Sequence, residues 1–155
     1  MARIVGIAGS FRRGSHNTAL LRAARALAPA GTEVEIASIA GIPLYDGDLE
    51  SERGIPEPVA ALKDRIAAAE GLLLVTPEYN HSMPGVLKNA VDWLSRPPKD
   101  IPRVFGGQAR GDHGCDAGLG RDAAGAGRMA AGVAGAWHAR VVRPAAPRRG
   151  GGPGI

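Results

Sequence analysis

The run Leu72-Leu73-Leu74-Val75 is apolar without alternation, and one loop later the chain enters a helical pattern over residues 86–94. A strand of that kind has to be covered on both faces, as in a parallel sheet flanked by helices. The connecting stretch, Thr76-Pro77-Glu78-Tyr79-Asn80-His81-Ser82-Met83-Pro84-Gly85, is dense in polar and ring side chains. Ligands of open parallel sheets sit outside the carboxyl ends of the strands, so this loop is placed to hold one.

The same alternation runs upstream. Residues 4–8 form a short apolar run ended by Gly9, and residues 19–27 follow with Leu20, Leu21, Ala24 and Leu27 at helical spacing. Asn17 or Thr18 is the expected N-cap. Pro29-Ala30-Gly31 stops that helix, and residues 33–38 alternate polar and apolar as a strand near a sheet edge does. Residues 42–47 read as a loop, 48–58 as a longer polar loop, 59–70 as a helix, and Pro97-Pro98 as a break. Strands alternating with helices predict βαβ units with right-handed crossovers. The expected fold class is α/β with a parallel sheet, of which three strands and three helices are visible; one order open to such a sheet is the flavodoxin-like 2-1-3-4-5. In that order the first and third strands are neighbours, and their loops open onto one crevice.

At 155 residues the chain is one domain long. Its single cysteine, Cys115, excludes an internal disulfide and a cysteine-only zinc site. There is no apolar run long enough for a membrane span. The chain goes straight into its first strand with no long apolar leader, so no secretory signal is expected and the cytoplasm is the default. A net charge of +4 and a pI near 9.8 would suit an anionic partner. Yet residues 1–105 hold 12 Lys and Arg against 12 Asp and Glu, while residues 106–155 hold 7 Arg and 3 Asp. The excess lies wholly in the tail, without a basic or aromatic groove motif, so nucleic acid is not expected as a partner.

Two loops carry the chemistry. In the first, Ser10, Arg12, Ser15, Asn17 and Thr18 crowd a glycine-flanked turn at a helix N-terminus, where free N–H groups and positive partial charge favour a small dianion. There is no lysine of the triphosphate-binding P-loop, and the glycine spacing does not fit the dinucleotide fingerprint. A plain polar turn with its N-cap is the competing reading. In the second loop, Pro77 and Pro84 fix the backbone, so N–H and C=O groups could meet a flat heterocycle at small entropic cost. Tyr79 can lie along a ring face, with Glu78 and Asn80 supplying polar groups. Adjacent residues rarely face each other, which counts against a His81–Ser82 nucleophile pair. Glu78 as a general base is no better supported, and His16 reads as a loop histidine. Lys88 and Asp92 read as a solvated helix face, Asn89 as a brace for the loop before it, and Trp93 as core or subunit interface. No catalytic residue and no metal site are assigned.

Gly9-Ser10-Phe11-Arg12 through Ser15-His16-Asn17-Thr18 resembles the GSxRxxSxN loop of the NADPH-dependent FMN reductase family. Residues 77–93 resemble that family's PEYN-x-S-x-PG-x-LKNAxDW signature. The resemblance implies a flavodoxin-like three-layer αβα sandwich with a parallel sheet of order 2-1-3-4-5, its last strands and helices not evident in this chain, and non-covalent FMN, its phosphate held by Ser10, Arg12, Ser15, Asn17 and Thr18. The isoalloxazine ring would be lined by Pro77, Glu78, Tyr79 and Asn80, with Ser82 close by. It further implies hydride transfer from NADPH or NADH, small-molecule electron acceptors (flavin, quinone, azo dye or metal oxyanion), and a homodimer or homotetramer. Flavin performs the redox chemistry, so the protein need not supply an acid or base. A non-enzymatic, flavodoxin-like FMN-binding electron carrier and an inactive fragment are the alternatives.

The resemblance stops near residue 107, which sets an FMN-binding core of 1–107 apart from a tail of 108–155. Residues 106–155 contain 14 of the 23 glycines and 12 alanines, but one leucine, Leu119. Such a segment has little large apolar surface to bury. Permitted codons for Gly111 to Gly118, started one base later, spell Ala-Ile-Met-Gly-Ala-Thr-Pro, a strand end and loop of the kind the fold lacks here. The tail is therefore expected to be out of frame or disordered. Cys115, His113, Trp137 and His138 are expected to carry no function, and the edge of the third strand to lie open.

Overall fold

The computed structural model describes residues 1–106 and the backbone of residues 138–142. Its elements are β1 (Ala2–Ala8), α1 (His16–Ala26), β2 (Thr32–Ala37), α2 (Gly47–Arg53), α3 (Glu57–Ala67), β3 (Gly71–Thr76), α4 (Gly85–Leu94), a 3-10 turn (Pro98–Asp100), α5 (Ile101–Phe105) and β4 (His138–Val142). The sheet order is β2-β1-β3-β4. β1 pairs in parallel with both β2 and β3, with Ile7 opposite Ala37 on one side and Leu74 on the other. The expected adjacency of the first and third strands is present, and β2 is the edge strand its alternation suggested.

The core follows from the period of two along the strands. Val5 and Ile7 of β1 and Leu72 and Leu74 of β3 pack in one cluster with Leu62 and Ile66 of α3 and Leu87, Val91 and Leu94 of α4. Gly6 faces the other way: a Cβ there would lie 2.9 Å from Leu21 Cδ2 of α1, so its lack of a side chain is what lets α1 approach. Leu21 is fully buried. Helices thus cover both faces of the sheet, and β3 is buried along nearly its whole length.

Three expectations need correction. The edge of β3 is not open: residues 138–142 pair with it antiparallel, with Val75 opposite Ala139. A parallel neighbour was the expected arrangement. Residues 48–58 are not all loop. Asp46 caps α2 by accepting from the Asp48 N–H at 2.9 Å, with Asp48 and Glu50 in the first turn, as the positive end of a helix favours. The cap of α1 is Ser15, not Asn17 or Thr18; its Oγ accepts from the Thr18 N–H at 3.3 Å. A short 3-10 turn and α5 follow the Pro97-Pro98 break. Apart from the backbone of 138–142, the tail, with Cys115, His113 and Trp137, lies outside the described residues.

Candidate functional site

Both motif loops leave the carboxyl ends of adjacent parallel strands, and their roots are locked together. The Gly9 N–H donates to the Val75 carbonyl at 2.8 Å. A Cβ at Gly9 would come within 2.5 Å of Thr76 Oγ1 and 3.1 Å of Leu87 Cδ2, so only glycine lets the first loop start this close to the second.

In the first loop, the Ser15 N–H donates to the Arg12 carbonyl at 3.0 Å. Arg12 is exposed; its Nη2 donates to the Gly14 carbonyl at 3.0 Å and its N–H to Ser10 Oγ at 3.4 Å. Ser15 and Asn17 are buried, at 6% and 3% exposure. Asn17 Oδ1 is shielded from water and has no hydrogen-bond partner. Ser10 and Thr18 are half-buried. These five residues share one helix entrance, as the sequence indicated.

The second loop is more structured than its prolines alone implied. Tyr79 and Ser82 exchange backbone hydrogen bonds at 2.8 and 3.0 Å, closing a tight turn. The two residues between them have left-handed backbones, Asn80 at φ 52° and His81 at φ 61°. Positive φ at both central positions is the mark of a type I′ turn. Asparagine tolerates it; histidine is less common there, at a cost of order 1 kcal/mol. Tyr79 is 58% exposed. Asn80 and Ser82 are also exposed, while Pro77 and Glu78 are half-buried. The Glu78 carboxylate lies 3.6 Å from His81 Nδ1. His81 and Ser82 make no pair with each other.

The helix after this loop corrects another expectation. Asn89 does not brace residues 76–85. Its Oδ1 accepts from the Tyr45 N–H at 2.8 Å and its Nδ2 donates to the Pro43 carbonyl at 2.9 Å. Trp93, fully buried, donates from Nε1 to the same carbonyl at 2.9 Å and meets the Tyr45 ring edge-on at 5.0 Å. Trp93 is therefore core. The two residues fasten the loop after β2, a third loop at the carboxyl edge of the sheet, which sequence reasoning passed over. Its one signal was the pair Asn89 and Trp93 at helical spacing. Farther along, the Arg96 guanidinium donates to Glu50 Oε2 at 2.8 Å and holds that carboxyl below its usual range. The Tyr45 hydroxyl donates to the same oxygen at 2.9 Å and is held above its ordinary value. Lys88 and Asp92 pair across one helical turn at 2.6 Å on the solvated face, as expected.

Among the described residues no helix is long and apolar enough to cross a membrane, and no group of three or more His, Cys, Asp or Glu could hold a metal.

The chain is similar to an NAD(P)H-dependent FMN reductase of Pseudomonas aeruginosa, 47% identical over 116 residues, which are 75% of this chain and 60% of that one. It is 52% identical to a quinone reductase of Escherichia coli over 97 residues, 62% of this chain and 52% of that one. Among solved structures, a flavoenzyme NAD(P)H:(acceptor) oxidoreductase from Paracoccus denitrificans superposes with a TM-score of 0.57 at 39% identity, covering 63% of this chain and 52% of that one. The chain thus spans 52% to 60% of the length of these two curated relatives. The family model that matches, over residues 2–141, is that of the NADPH-dependent FMN reductases, the family to which this chain belongs.

Proposed function

We propose that the chain binds FMN and serves as an NAD(P)H-dependent oxidoreductase delivering electrons to small-molecule acceptors: flavin, quinone, azo compounds or metal oxyanions. The observation that carries this reading is the rooting of both loops side by side, pinned by the Gly9–Val75 hydrogen bond at 2.8 Å. The residues present fit the group. Asn17 is 3% exposed with an orphaned amide oxygen, the kind of polar atom that a ligand hydroxyl satisfies, or a phosphate oxygen once the amide is turned over. Ser10, Arg12, Ser15 and Thr18 add hydroxyl and guanidinium donors at the positive end of an eleven-residue helix.

In this reading Ser10, Arg12, Ser15, Asn17 and Thr18 hold the phosphate. Pro77, Glu78, Tyr79 and Asn80 line the ring, with Ser82 beside it. FMN, when bound, supplies the redox chemistry by taking hydride from NADPH or NADH and passing electrons on. The residues bind and orient it; the type I′ turn keeps Tyr79 in place without recruiting order on binding. A homodimer or homotetramer and a cytoplasmic setting belong to the same reading. An absorbance spectrum of the protein with FMN, and then with NADPH, tests it. Retained yellow flavin that bleaches is expected. Yellow flavin that does not bleach identifies a carrier, and colourless protein removes the FMN site.

We also propose that residues 108–155 are an out-of-frame product, on the strength of their composition. Resequencing the gene and finding the tail in one continuous frame shared with relatives would refute this.

A further inference from the structure

The ring loop carries a titratable pair that electron transfer alone does not need. Reduction of a quinone follows NAD(P)H + H+ + quinone → NAD(P)+ + hydroquinone. NAD(P)H supplies both electrons and one proton as hydride, and the second proton comes from the medium. A group that delivers it needs an N–H or O–H to give up, a connection to water and a neighbour that biases its orientation.

His81 has an imidazole open to water and a carboxylate beside it. Its side chain is 90% exposed, its Nδ1 lies 3.6 Å from Glu78 Oε1, and the Glu78 side chain is 16% exposed. With Nδ1 facing the carboxylate, Nε2 is on the opposite edge of the imidazole. The Tyr79–Ser82 turn carries the ring there on a left-handed backbone, φ 61°, where glycine or asparagine would sit at lower cost. Backbone strain retained on a binding loop is an outlier from which function can be argued.

We propose that His81, oriented by Glu78, is the proton donor to acceptors that take up protons with their electrons, quinones first. This rests on reading Pro77, Glu78, Tyr79 and Asn80 as the wall of the flavin ring, with Ser82 beside it. In the step an O–H bond forms on the reduced quinone oxygen, the imidazolium N–H bond breaks, and water returns a proton to the imidazole.

The test compares the FMN-loaded parent with His81→Asn, which keeps a residue tolerant of the left-handed backbone. Two acceptors are used: 1,4-benzoquinone, which takes up protons, and ferricyanide, which takes electrons alone. The benzoquinone-to-ferricyanide turnover ratio is expected to fall about a hundredfold. FMN affinity, read by flavin fluorescence, stays close to the parent's, and added free imidazole restores the benzoquinone rate. A ratio unchanged by the substitution overturns the proposal, as does loss of both rates together with FMN affinity. A parent protein inert with ferricyanide as well overturns the oxidoreductase reading itself, which is a separate failure.

Discussion

Trp93→Ala is expected to cost about 4 kcal/mol, the largest effect of any single truncation in the described residues. Trp93 is the largest fully buried side chain among the described residues and packs against Tyr45 at 5.0 Å. Its hydrogen bond is the smaller part. The Pro43 carbonyl keeps the Asn89 Nδ2 donor at 2.9 Å when the indole N–H is gone, so no acceptor is orphaned. Trp93→Phe, which keeps most of the volume and loses only the N–H, should therefore cost about 1 kcal/mol. A domain of this size is stable by about 5–15 kcal/mol, so the alanine variant loses a large share of it. Thermal or urea unfolding of both variants checks the claim. Equal losses would mean that the hydrogen bond, not the cavity, dominates.

The second large effect is at Lys63, whose side chain is 2% exposed. Its ammonium is held by the Arg96 carbonyl and by Asp100 Oδ2, the latter at 2.5 Å. Asp100→Ala leaves a buried charge with one neutral partner and is expected to cost about 3 kcal/mol. The paired replacement Lys63→Met with Asp100→Leu removes both charges and should recover most of that loss, because the penalty lies in the uncompensated ion. The pair also sets an acid limit. Lys63 holds the Asp100 carboxyl below its usual range, as Arg96 does for Glu50. For a carboxyl lowered in the folded state, the contribution is complete above the ordinary carboxylate value of about 4. It is lost as pH falls from there through the lowered folded value. Unfolding free energy measured down the acid limb should fall less steeply in the paired variant; an identical limb would assign acid sensitivity to other groups.

Much of this was legible in the sequence, for physical reasons that can be named. Leu72-Leu73-Leu74-Val75 has no polar position, and the strand it forms is covered on both faces. Residues 33–38 alternate, and β2 is an edge. The helix after the first loop was visible from its leucines, but its start was misjudged. Asn17 and Thr18 have good capping chemistry, yet the cap belongs to Ser15, whose backbone is extended at φ −67°, ψ 121°. Helix α2 was missed because Gly47 and its polar run read as turn residues; the cap at Asp46 and the acids behind it were the overlooked signal. The target of Asn89 could not be read, because Tyr45 lies 44 residues away and only tertiary packing brings it near. The antiparallel pairing of residues 138–142 was likewise invisible: a Gly- and Ala-rich tail has no strong strand period of its own.

The account depends on the first loop holding a phosphate, and riboflavin, which is FMN without the phosphate, tests this directly. Titrating the protein and Arg12→Ala with both ligands by fluorescence quenching is the measurement. The parent should bind FMN far more tightly than riboflavin. Arg12→Ala should weaken FMN by about ten- to a hundredfold, as losing a charged hydrogen bond would, and leave riboflavin unchanged. Equal affinity for the two flavins, or an Arg12→Ala variant that binds FMN as the parent does, would contradict it.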